Sequence, residues 1–242
     1  MYKRHSNNLL IFLFLFGGVF VVMPFISSCG KSATTGPSSN IQYQIINVSP
    51  GLGSVDLYVN YAKVNTSSYF YPTPSGYFYL NSTILPFQIR PGTTLVPGTV
   101  AASTNIITLN DTLKPNTRYT LILAGIAPDT TYIFLTDTSS SPSRGRGKIR
   151  FVNASPQSTG FDVTANDTSL FSNVAFAKYT TFKEVPAGTY EFKMYPTGTS
   201  TLLRDVPNVT IQDGRLYTLY CYGLASHTAD SLAFSSGFIT NK

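Results

Sequence analysis

Three short segments of the sequence contain residue types that could do chemistry. Ile26-Ser27-Ser28-Cys29 resembles a bacterial lipobox, in which the thiol of the final cysteine is acylated. His227-Thr228-Ala229-Asp230-Ser231 contains the residue types of a hydrolase triad. The third motif, Asn-x-Ser-Pro with an Asp six residues after the Pro, offers the oxygen ligands that Ca²⁺ prefers. It occurs twice, as Asn47-Val48-Ser49-Pro50 with Asp56 and as Asn153-Ala154-Ser155-Pro156 with Asp162.

The residues before Cys29 predict a lipoprotein signal peptide. Residues 1–28 combine a basic start, an apolar run and small residues before the cysteine, which are the parts of a secretory signal. The alternative, a retained membrane-spanning anchor, needs roughly 20 apolar residues, and the run at 9–22 is shorter. We therefore predict lipidation at Cys29, with residues 29–40 as lipidated Cys and flexible tether. Gly30 replaces the Asp that retains some lipoproteins at the inner membrane, which favours the outer membrane, facing the periplasm or the cell surface.

The other two motifs have simpler structural interpretations. A triad is spatial and needs an oxyanion hole, and the sequence has no Gly-x-Ser-x-Gly. After loss of the signal His227 is the one remaining histidine, which argues against a zinc site. Asn and Ser side chains bond the nearby backbone in turns, and the Asp can cap the next loop. The sequence therefore predicts no catalytic residue, no metal and no cofactor, and the protein is not expected to be an enzyme.

Composition argues against a predominantly helical fold, because Glu, which is common on exposed helices, occurs only at Glu184 and Glu191. Charged residues make up 12% of the chain, about half of the usual share, while there are 16 Tyr and 17 Phe. Hydrophobic residues reach 43%, which excludes global disorder. With Cys29 lipidated, the second cysteine, Cys221, has no disulfide partner, and its apolar surroundings predict a buried, inert thiol. Loss of Lys3 and Arg4 lowers the net charge from +6 to +4, too little to imply a polyanionic partner.

The elements that must position these residues come from an internal repeat. Asn47 recurs as Asn153 after 106 residues, Phe87 as Phe192 after 105, and Tyr119 as Tyr217 after 98. We predict two homologous units at 41–140 and 147–242, joined by a linker at 141–146. Alternating apolar residues and turn signals every 8 to 12 residues predict short strands. The expected fold is two tandem immunoglobulin-like β-sandwiches.

The second repeat also resembles a known family. Its segments Arg150-Phe151-Val152-Asn153-Ala154-Ser155-Pro156, Val185-Pro186-Ala187-Gly188-Thr189-Tyr190 and Tyr217-Thr218-Leu219 are similar to a bacterial domain of unknown function, type 4397. That family occurs in secreted proteins and in lipoproteins of Bacteroidota, often in tandem copies. The first repeat keeps the Asn47 motif, but Leu80-Asn81-Ser82-Thr83 replaces Val185 to Gly188. The resemblance implies an all-β envelope domain and supplies no catalytic residues.

One basic cluster, Arg144-Gly145-Arg146-Gly147-Lys148-Ile149-Arg150, could contact phosphate groups. It begins in the linker and continues into a strand whose alternate positions are expected to face water. We therefore interpret the cluster as a solvated linker, and nucleic acid is not an expected partner.

The strongest functional signal is aromatic. The segment Tyr69-Phe70-Tyr71-Pro72-Thr73-Pro74-Ser75-Gly76-Tyr77-Phe78-Tyr79 places six rings around a Pro/Gly turn. Alignment of the repeats by Phe87 and Phe192 predicts that Tyr71 and Tyr77 fill a core, whereas Phe78 and Tyr79 coincide with Lys183 and Glu184. Phe78, Tyr79 and Tyr69 are therefore candidates for a ligand or partner surface. The interpretation that we favour is structural, with these rings in cross-strand pairs or packed between the repeats.

Two function classes follow from these observations. The first is a non-catalytic, envelope-anchored lipoprotein that presents two β-sandwiches for protein contacts or adhesion. The second is a glycan-binding accessory lipoprotein that uses the aromatic loop of the first repeat. The expected partners are thus the membrane, through the lipid on Cys29, and an envelope protein or a glycan.

Overall fold

The computed structural model describes residues 40–80, 83–92, 105–230 and 232–242. Ser39–Lys242 form one compact unit. The regular structure of the described residues is β throughout, with 16 strands in four sheets. Within those ranges, no helix reaches the length and hydropathy that crossing a bilayer requires.

Each repeat contributes eight of these strands in the described part of the chain. Those of the first repeat are β1 (Gln42–Asn47), β2 (Val55–Val59), β3 (Ala62–Lys63), β4 (Phe78–Tyr79), β5 (Phe87–Pro91), β6 (Ile107–Leu109), β7 (Arg118–Ile126) and β8 (Asp129–Thr136). Those of the second repeat are β9 (Arg146–Asn153), β10 (Phe161–Ala165), β11 (Thr168–Val174), β12 (Lys183–Pro186), β13 (Gly188–Pro196), β14 (Arg204–Ile211), β15 (Leu216–Tyr222) and β16 (Ser235–Thr240).

The two repeats have the same strand order. In the first repeat, sheet A has the order β4-β1-β7-β8 and sheet B the order β3-β2-β5-β6. In the second, sheet C is β12-β9-β15-β16 and sheet D is β11-β10-β13-β14, so each strand has an equivalent eight places along. β1 runs parallel to β7, as β9 does to β15, and the other described pairs are antiparallel. The predictions of an all-β protein with two β-sandwiches are confirmed; the immunoglobulin-like detail stays a prediction.

Turn chemistry explains where equivalent hairpins reverse. The tight turn after β2 has Asn60 and Tyr61 at positive φ, 47° and 65°, and the turn after β10 has Asn166 and Asp167 at 48° and 60°. Two successive positive φ values define a type I′ turn, whose twist matches that of the strands it joins. Asn tolerates this conformation because its side chain bonds the local backbone.

The four sheets stack in the order B, A, C, D, because three apolar cores lie between successive pairs. The first core lies between sheets A and B and includes Tyr43, Ile45, Leu57 and Phe87. The second core lies between sheets C and D and includes Phe151, Val163 and Phe192. The third, here called the middle core, joins sheet A to sheet C. Its buried members are Ile46, Val48, Ile122, Ala124, Ile133, Leu135, Val152, Ala154, Tyr220 and Ile239.

Sheets A and C are covered on both faces, on one face by the other sheet of the same repeat and on the other face by each other across the middle core. Along β1, Tyr43 and Ile45 point into the first core, whereas Ile46 points into the middle core. Strands buried on both faces become near-continuous apolar runs rather than strict alternations. This accounts for the partial alternation of residues 42–48. The two sandwiches are thus packed face to face across buried apolar side chains.

Candidate functional site

Cys29 and the whole signal segment lie outside the described residues. Lipidation at that position therefore stays a prediction from the sequence.

The repeated Asn-x-Ser-Pro motif builds turns. Asn47 Nδ2 donates to the carbonyl oxygen of Gly53 over 2.8 Å, and Asn47 Oδ1 accepts from the backbone amide of Ser49 over 3.3 Å. In the second copy, Asn153 Oδ1 accepts from the Ser155 amide over 2.9 Å, and its Nδ2 donates to the carbonyl oxygen of Val174 over 2.9 Å. The three local bonds, to Gly53, Ser49 and Ser155, confirm the turn interpretation, and the fourth links the turn to Val174 at the end of β11.

The two aspartates that follow the motif are bound by protein groups. The Asp56 carboxylate accepts from Lys63 Nζ over 2.8 Å and from Ser68 Oγ over 2.7 Å. Partial desolvation works to raise the pKa of the Asp162 carboxyl, but hydrogen bonds from the amides of Asn173 and Gly198 hold it below its usual value. Across the described residues, no group of three or more His, Cys, Asp or Glu side chains is arranged to hold a metal ion.

The triad-like segment forms an exposed pair. His227 Nδ1 lies 2.8 Å from Asp230 Oδ2, and this hydrogen bond lowers the pKa of Asp230. Asp230 Oδ1 also accepts from the Leu232 amide over 2.9 Å, so the carboxylate closes its own loop. Ser231 lies outside the described residues.

Cys221 is fully buried on β15, as its apolar surroundings predicted. Burial raises the pKa of its thiol, so the thiolate is disfavoured. The side chain is held in the second core and is not a reactive group.

The predicted aromatic surface divides into two kinds of ring. Phe78 and Tyr69 are partly buried, pack against the first core and stack on each other at 6.1 Å between centroids. Phe78 also lies 6.1 Å from the buried Tyr43 ring. Tyr79, which is next to Phe78 on β4, points the other way and is 61% exposed. Of these three side chains, only that of Tyr79 is exposed. A role of the three residues in binding a partner stays a prediction.

Two other rings of this segment reach the second repeat. The Tyr71 ring meets the Tyr222 ring edge-on at 6.2 Å. Tyr77 OH donates to Asp137 Oδ2 over 2.8 Å and accepts from Asn241 Nδ2 over 3.0 Å. Both rings are partly buried and contact the second repeat, so the prediction that they fill a core is wrong, and packing between the repeats is what they do.

A buried polar network joins the repeats beside the middle core. Arg150, on sheet C, forms an ion pair with Asp137, which directly follows β8 of sheet A, and both side chains are buried. Arg150 Nη1 donates to the carbonyl oxygen of Thr136 over 2.9 Å, and its Nε donates to Thr218 Oγ1 over 2.9 Å. Thr120 Oγ1 donates to Asp137 Oδ2 over 2.6 Å. We call Arg150, Asp137, Thr120, Thr218, Tyr77 and Asn241 the inter-repeat network.

The solvated-linker interpretation of the basic cluster is wrong for Arg150, which is 2% exposed. The face of sheet C that this strand position occupies is covered by sheet A. Lys148 is buried as well, and its Nζ donates to the carbonyl oxygen of Ser140 over 2.9 Å. Burial raises the pKa of the Asp137 carboxyl, whereas Arg150 and the hydroxyls of Thr120 and Tyr77 oppose that rise.

The network is asymmetric at equivalent positions. Gln44 pairs with Thr120 in sheet A as Arg150 pairs with Thr218 in sheet C. The first repeat thus has a neutral Gln where the second has a cation. Thr136 opposite Tyr119 corresponds to Thr240 opposite Tyr217, so the next residue is Asp137 in one repeat and Asn241 in the other. Each repeat supplies one of the two charges.

Sequence reasoning missed this network, although a signal for it was present. Thr120 and Thr218 lie within the Tyr-Thr-Leu segments that revealed the repeat. A polar residue repeated between apolar neighbours on a central strand indicates a buried hydrogen bond.

Two clefts open beside the network. One, of about 200 Å³, is lined by Arg118, Asn116, Asn241 and Lys242 together with Asp137–Ser139. The other has a volume of about 310 Å³ and shares Thr138 and Ser139 with the first. Its lining also includes residues 179–182 of the second repeat.

Comparison with known proteins identifies a family. The family model described as "Domain of unknown function (DUF4397)" matches residues 42–159 and again residues 147–236. Among solved structures, the C-terminal domain of AlgF from P. aeruginosa matches over 40% of this chain and 97% of its own, at 13% identity and a TM-score of 0.27. That similarity is too slight to support any statement about fold or function. No curated protein matches the chain.

The two neighbouring rings of β4 should differ in their effect on stability. Phe78→Ser removes a ring packed on the first core, so we expect a loss of about 2 kcal/mol or more in the free energy of unfolding. Tyr79→Ser should change it by no more than about 0.5 kcal/mol, because the ring is exposed. Urea denaturation measures both. Equal losses would contradict the placement of the two rings.

Replacing each residue of the inter-repeat ion pair by the residue type found at the equivalent position of the other repeat should change the free energy of unfolding. Arg150→Gln installs the residue found at Gln44 and leaves the Asp137 carboxylate buried without its cation, at a cost of about 3–5 kcal/mol. Adding Asp137→Asn, the residue type found at Asn241, removes the unpaired charge and should recover part of the loss. Arg146→Gln is the control, because that pair with Glu184 is exposed at the surface. The account is wrong if the double variant is no more stable than Arg150→Gln.

Proposed function

The chain belongs to the family described as domain of unknown function DUF4397, and we propose that it is a non-catalytic lipoprotein of the bacterial outer membrane. In this proposal its two β-sandwiches form one body that makes contacts with other envelope proteins. The lipobox ending at Cys29 supports the anchor. The polar motifs that could suggest chemistry are occupied in turns and in the inter-repeat network, which supports a structural use of those residues.

The single observation that carries the contact function is a difference between equivalent positions of the two repeats. In the first repeat, Tyr61, Phe70 and Tyr79 are 65%, 60% and 61% exposed. Their equivalents in the second repeat are Asp167, Ala175 and Glu184. Because the strand order is the same, the fold itself does not require rings at these places. We call Tyr61, Phe70 and Tyr79 the exposed ring set.

The register of the strands supports this equivalence. Tyr79 pairs with Gln42 on β1, as Glu184 pairs with Lys148 on β9. Glu184 Oε1 lies 3.8 Å from Lys148 Nζ, and Glu184 Oε2 lies 3.7 Å from Arg146 Nε. Charged side chains of this kind are common on the edge strands of sheets. Exposed Tyr and Phe instead supply rigid contact area at little cost in side-chain entropy. The first repeat is therefore the proposed contact module.

A glycan-binding role for the aromatic loop of the first repeat is the alternative. It is weakened by the partial burial of Phe78 and Tyr69, which leaves Tyr79 as the exposed ring of that group. Binding assays with envelope polysaccharides on the unaltered chain and on Tyr79→Ala separate the two functions, because only a glycan bound by this loop loses affinity when the exposed ring is removed.

The anchor is tested by replacing its lipid acceptor. Cys29→Ser removes the thiol that is acylated, so we expect loss of lipid labelling and release of the protein from the membrane fraction. Cys221→Ser is the matched control and should keep both properties. Persistent membrane fractionation of Cys29→Ser would contradict the lipoprotein proposal.

The contact function is tested by site-specific photo-crosslinking in intact cells. A benzoylphenylalanine at Tyr79 should give an adduct with a discrete envelope protein, because the side chain lies in the proposed contact surface. The same group at Glu184, the equivalent position of the second repeat, is the control and should give none. Adducts at neither position, or equally at both, would contradict the assignment of the contact surface to the first repeat.

A further inference from the structure

The larger cleft beside the inter-repeat network is built by both repeats. Thr136 and Ser139, at and after the end of β8, form one wall. Tyr179 and Thr181, in the segment before β12, form the other, and Arg150 with Phe182 lies between them. Its volume of about 310 Å³ is at the lower end of the range for small-molecule sites in proteins.

Arg150 and Phe182 form the floor of the cleft, and the charge of Arg150 is balanced by Asp137. The guanidinium of Arg150 lies over the Phe182 ring at 4.7 Å from its centroid. All three guanidinium nitrogens are engaged, with Thr218, the Thr136 carbonyl oxygen and Asp137. The positive charge is thus neutralised by a buried carboxylate, and the cleft has no unpaired cation at its base. A ligand without formal charge fits this floor better than an anion does.

The walls combine three side-chain hydroxyls with one exposed ring. The side chains of Thr136, Ser139 and Thr181 hydrogen-bond to no residue that the structure describes, and each can both donate and accept. The Tyr179 ring is 52% exposed beside them. Several hydroxyls around one accessible aromatic face is an arrangement suited to a ligand that has hydroxyl groups and an apolar face.

The segment that holds the ring is fixed by the backbone. Tyr179 forms a bridge with Val152 of β9. The Thr180 amide donates to the carbonyl oxygen of Phe151 over 2.9 Å, and Thr180 Oγ1 accepts from the Phe151 amide over 3.0 Å. The ring of Tyr179 is therefore presented on an ordered edge beside β9, which lowers the entropy cost of binding.

The first repeat does not repeat this arrangement. Pro74 forms the bridge with Ile46 that Tyr179 forms with Val152, so the ring is replaced by a proline. Tyr77 stands where the second repeat has Phe182, and its hydroxyl extends to Asp137 and Asn241. The ring that lines the cleft is thus supplied by the second repeat, and the equivalent position of the first repeat holds a proline.

We infer that this cleft binds an uncharged pyranose sugar. The apolar face of the sugar stacks on Tyr179, and its hydroxyls exchange hydrogen bonds with Thr136, Ser139 and Thr181. Because the walls come from both repeats, the site requires the face-to-face packing of the two sandwiches. The site goes beyond the proposed protein contacts and does not depend on the exposed ring set.

The test titrates the full mature chain with maltose, lactose and cellobiose while recording amide chemical shifts. We expect saturable binding of at least one disaccharide, with the shifts centred on residues 136–139 and 179–182. Tyr179→Ala should weaken that binding at least about tenfold, because it removes the stacking face. Thr181→Val should weaken it by a smaller factor, because it removes one hydroxyl and keeps the shape.

The matched control is Tyr79→Ala, which removes an exposed ring of the first repeat and should leave sugar affinity unchanged. An unchanged melting temperature of Tyr179→Ala establishes that the fold is intact. The inference is overturned if none of the three sugars binds saturably, if Tyr79→Ala weakens binding as much as Tyr179→Ala, or if glucuronate binds in their place. Photo-crosslinking at Tyr79 is unaffected by Tyr179→Ala, so failure here and failure of the contact function are distinguishable.

Discussion

The buried contact between Arg150 and Asp137 is the constraint on which the arrangement of the two sandwiches depends. A buried charge is tolerated when its partner and its hydrogen bonds are all present. Here the guanidinium belongs to sheet C, and the carboxylate follows the last strand of sheet A. Each group also has hydrogen bonds within its own repeat, but its counter-ion comes from the other repeat. The two sheets must therefore meet in the register that brings these groups together, with the apolar middle core packed beside them.

The same contact explains why the repeats are not interchangeable. Equivalent positions hold Gln44 and Arg150, and Asp137 and Asn241. A second repeat packed against another second repeat would bring Arg150 to an Asn, and a first repeat packed against itself would leave Asp137 opposite a Gln. Each of these alternatives buries an unpaired charge, which costs several kcal/mol. Specific pairing of unlike repeats is a well-founded use of buried polar groups.

Much of the fold could be predicted from residue spacing, because equivalent strands conserve their pairing. The alignment that matched Tyr79 to Glu184 agrees with the register, in which each pairs with the equivalent residue on β1 or β9. The burial of Arg150 could not be predicted in this way. Strand alternation assigns a residue to one face of a sheet but does not reveal whether another layer covers that face. Phe78 and Tyr79 show the same limit, because alternation separates the two rings, while the neighbouring sheet decides which one is buried.

Both proposed surfaces rest on positions where the two repeats share the backbone arrangement but differ in residue type. The shared fold does not dictate the ring at Tyr79 or the charge at Glu184, which pair with equivalent residues. The same holds for Pro74 and Tyr179, which form equivalent bridges. Both proposed surfaces presuppose that the sandwiches are packed as one body, so cooperativity of unfolding is the property to measure. Calorimetry of the chain without its signal and lipid should show one transition, with equal calorimetric and van't Hoff enthalpies. Two separate transitions, one for each sandwich, would contradict the account.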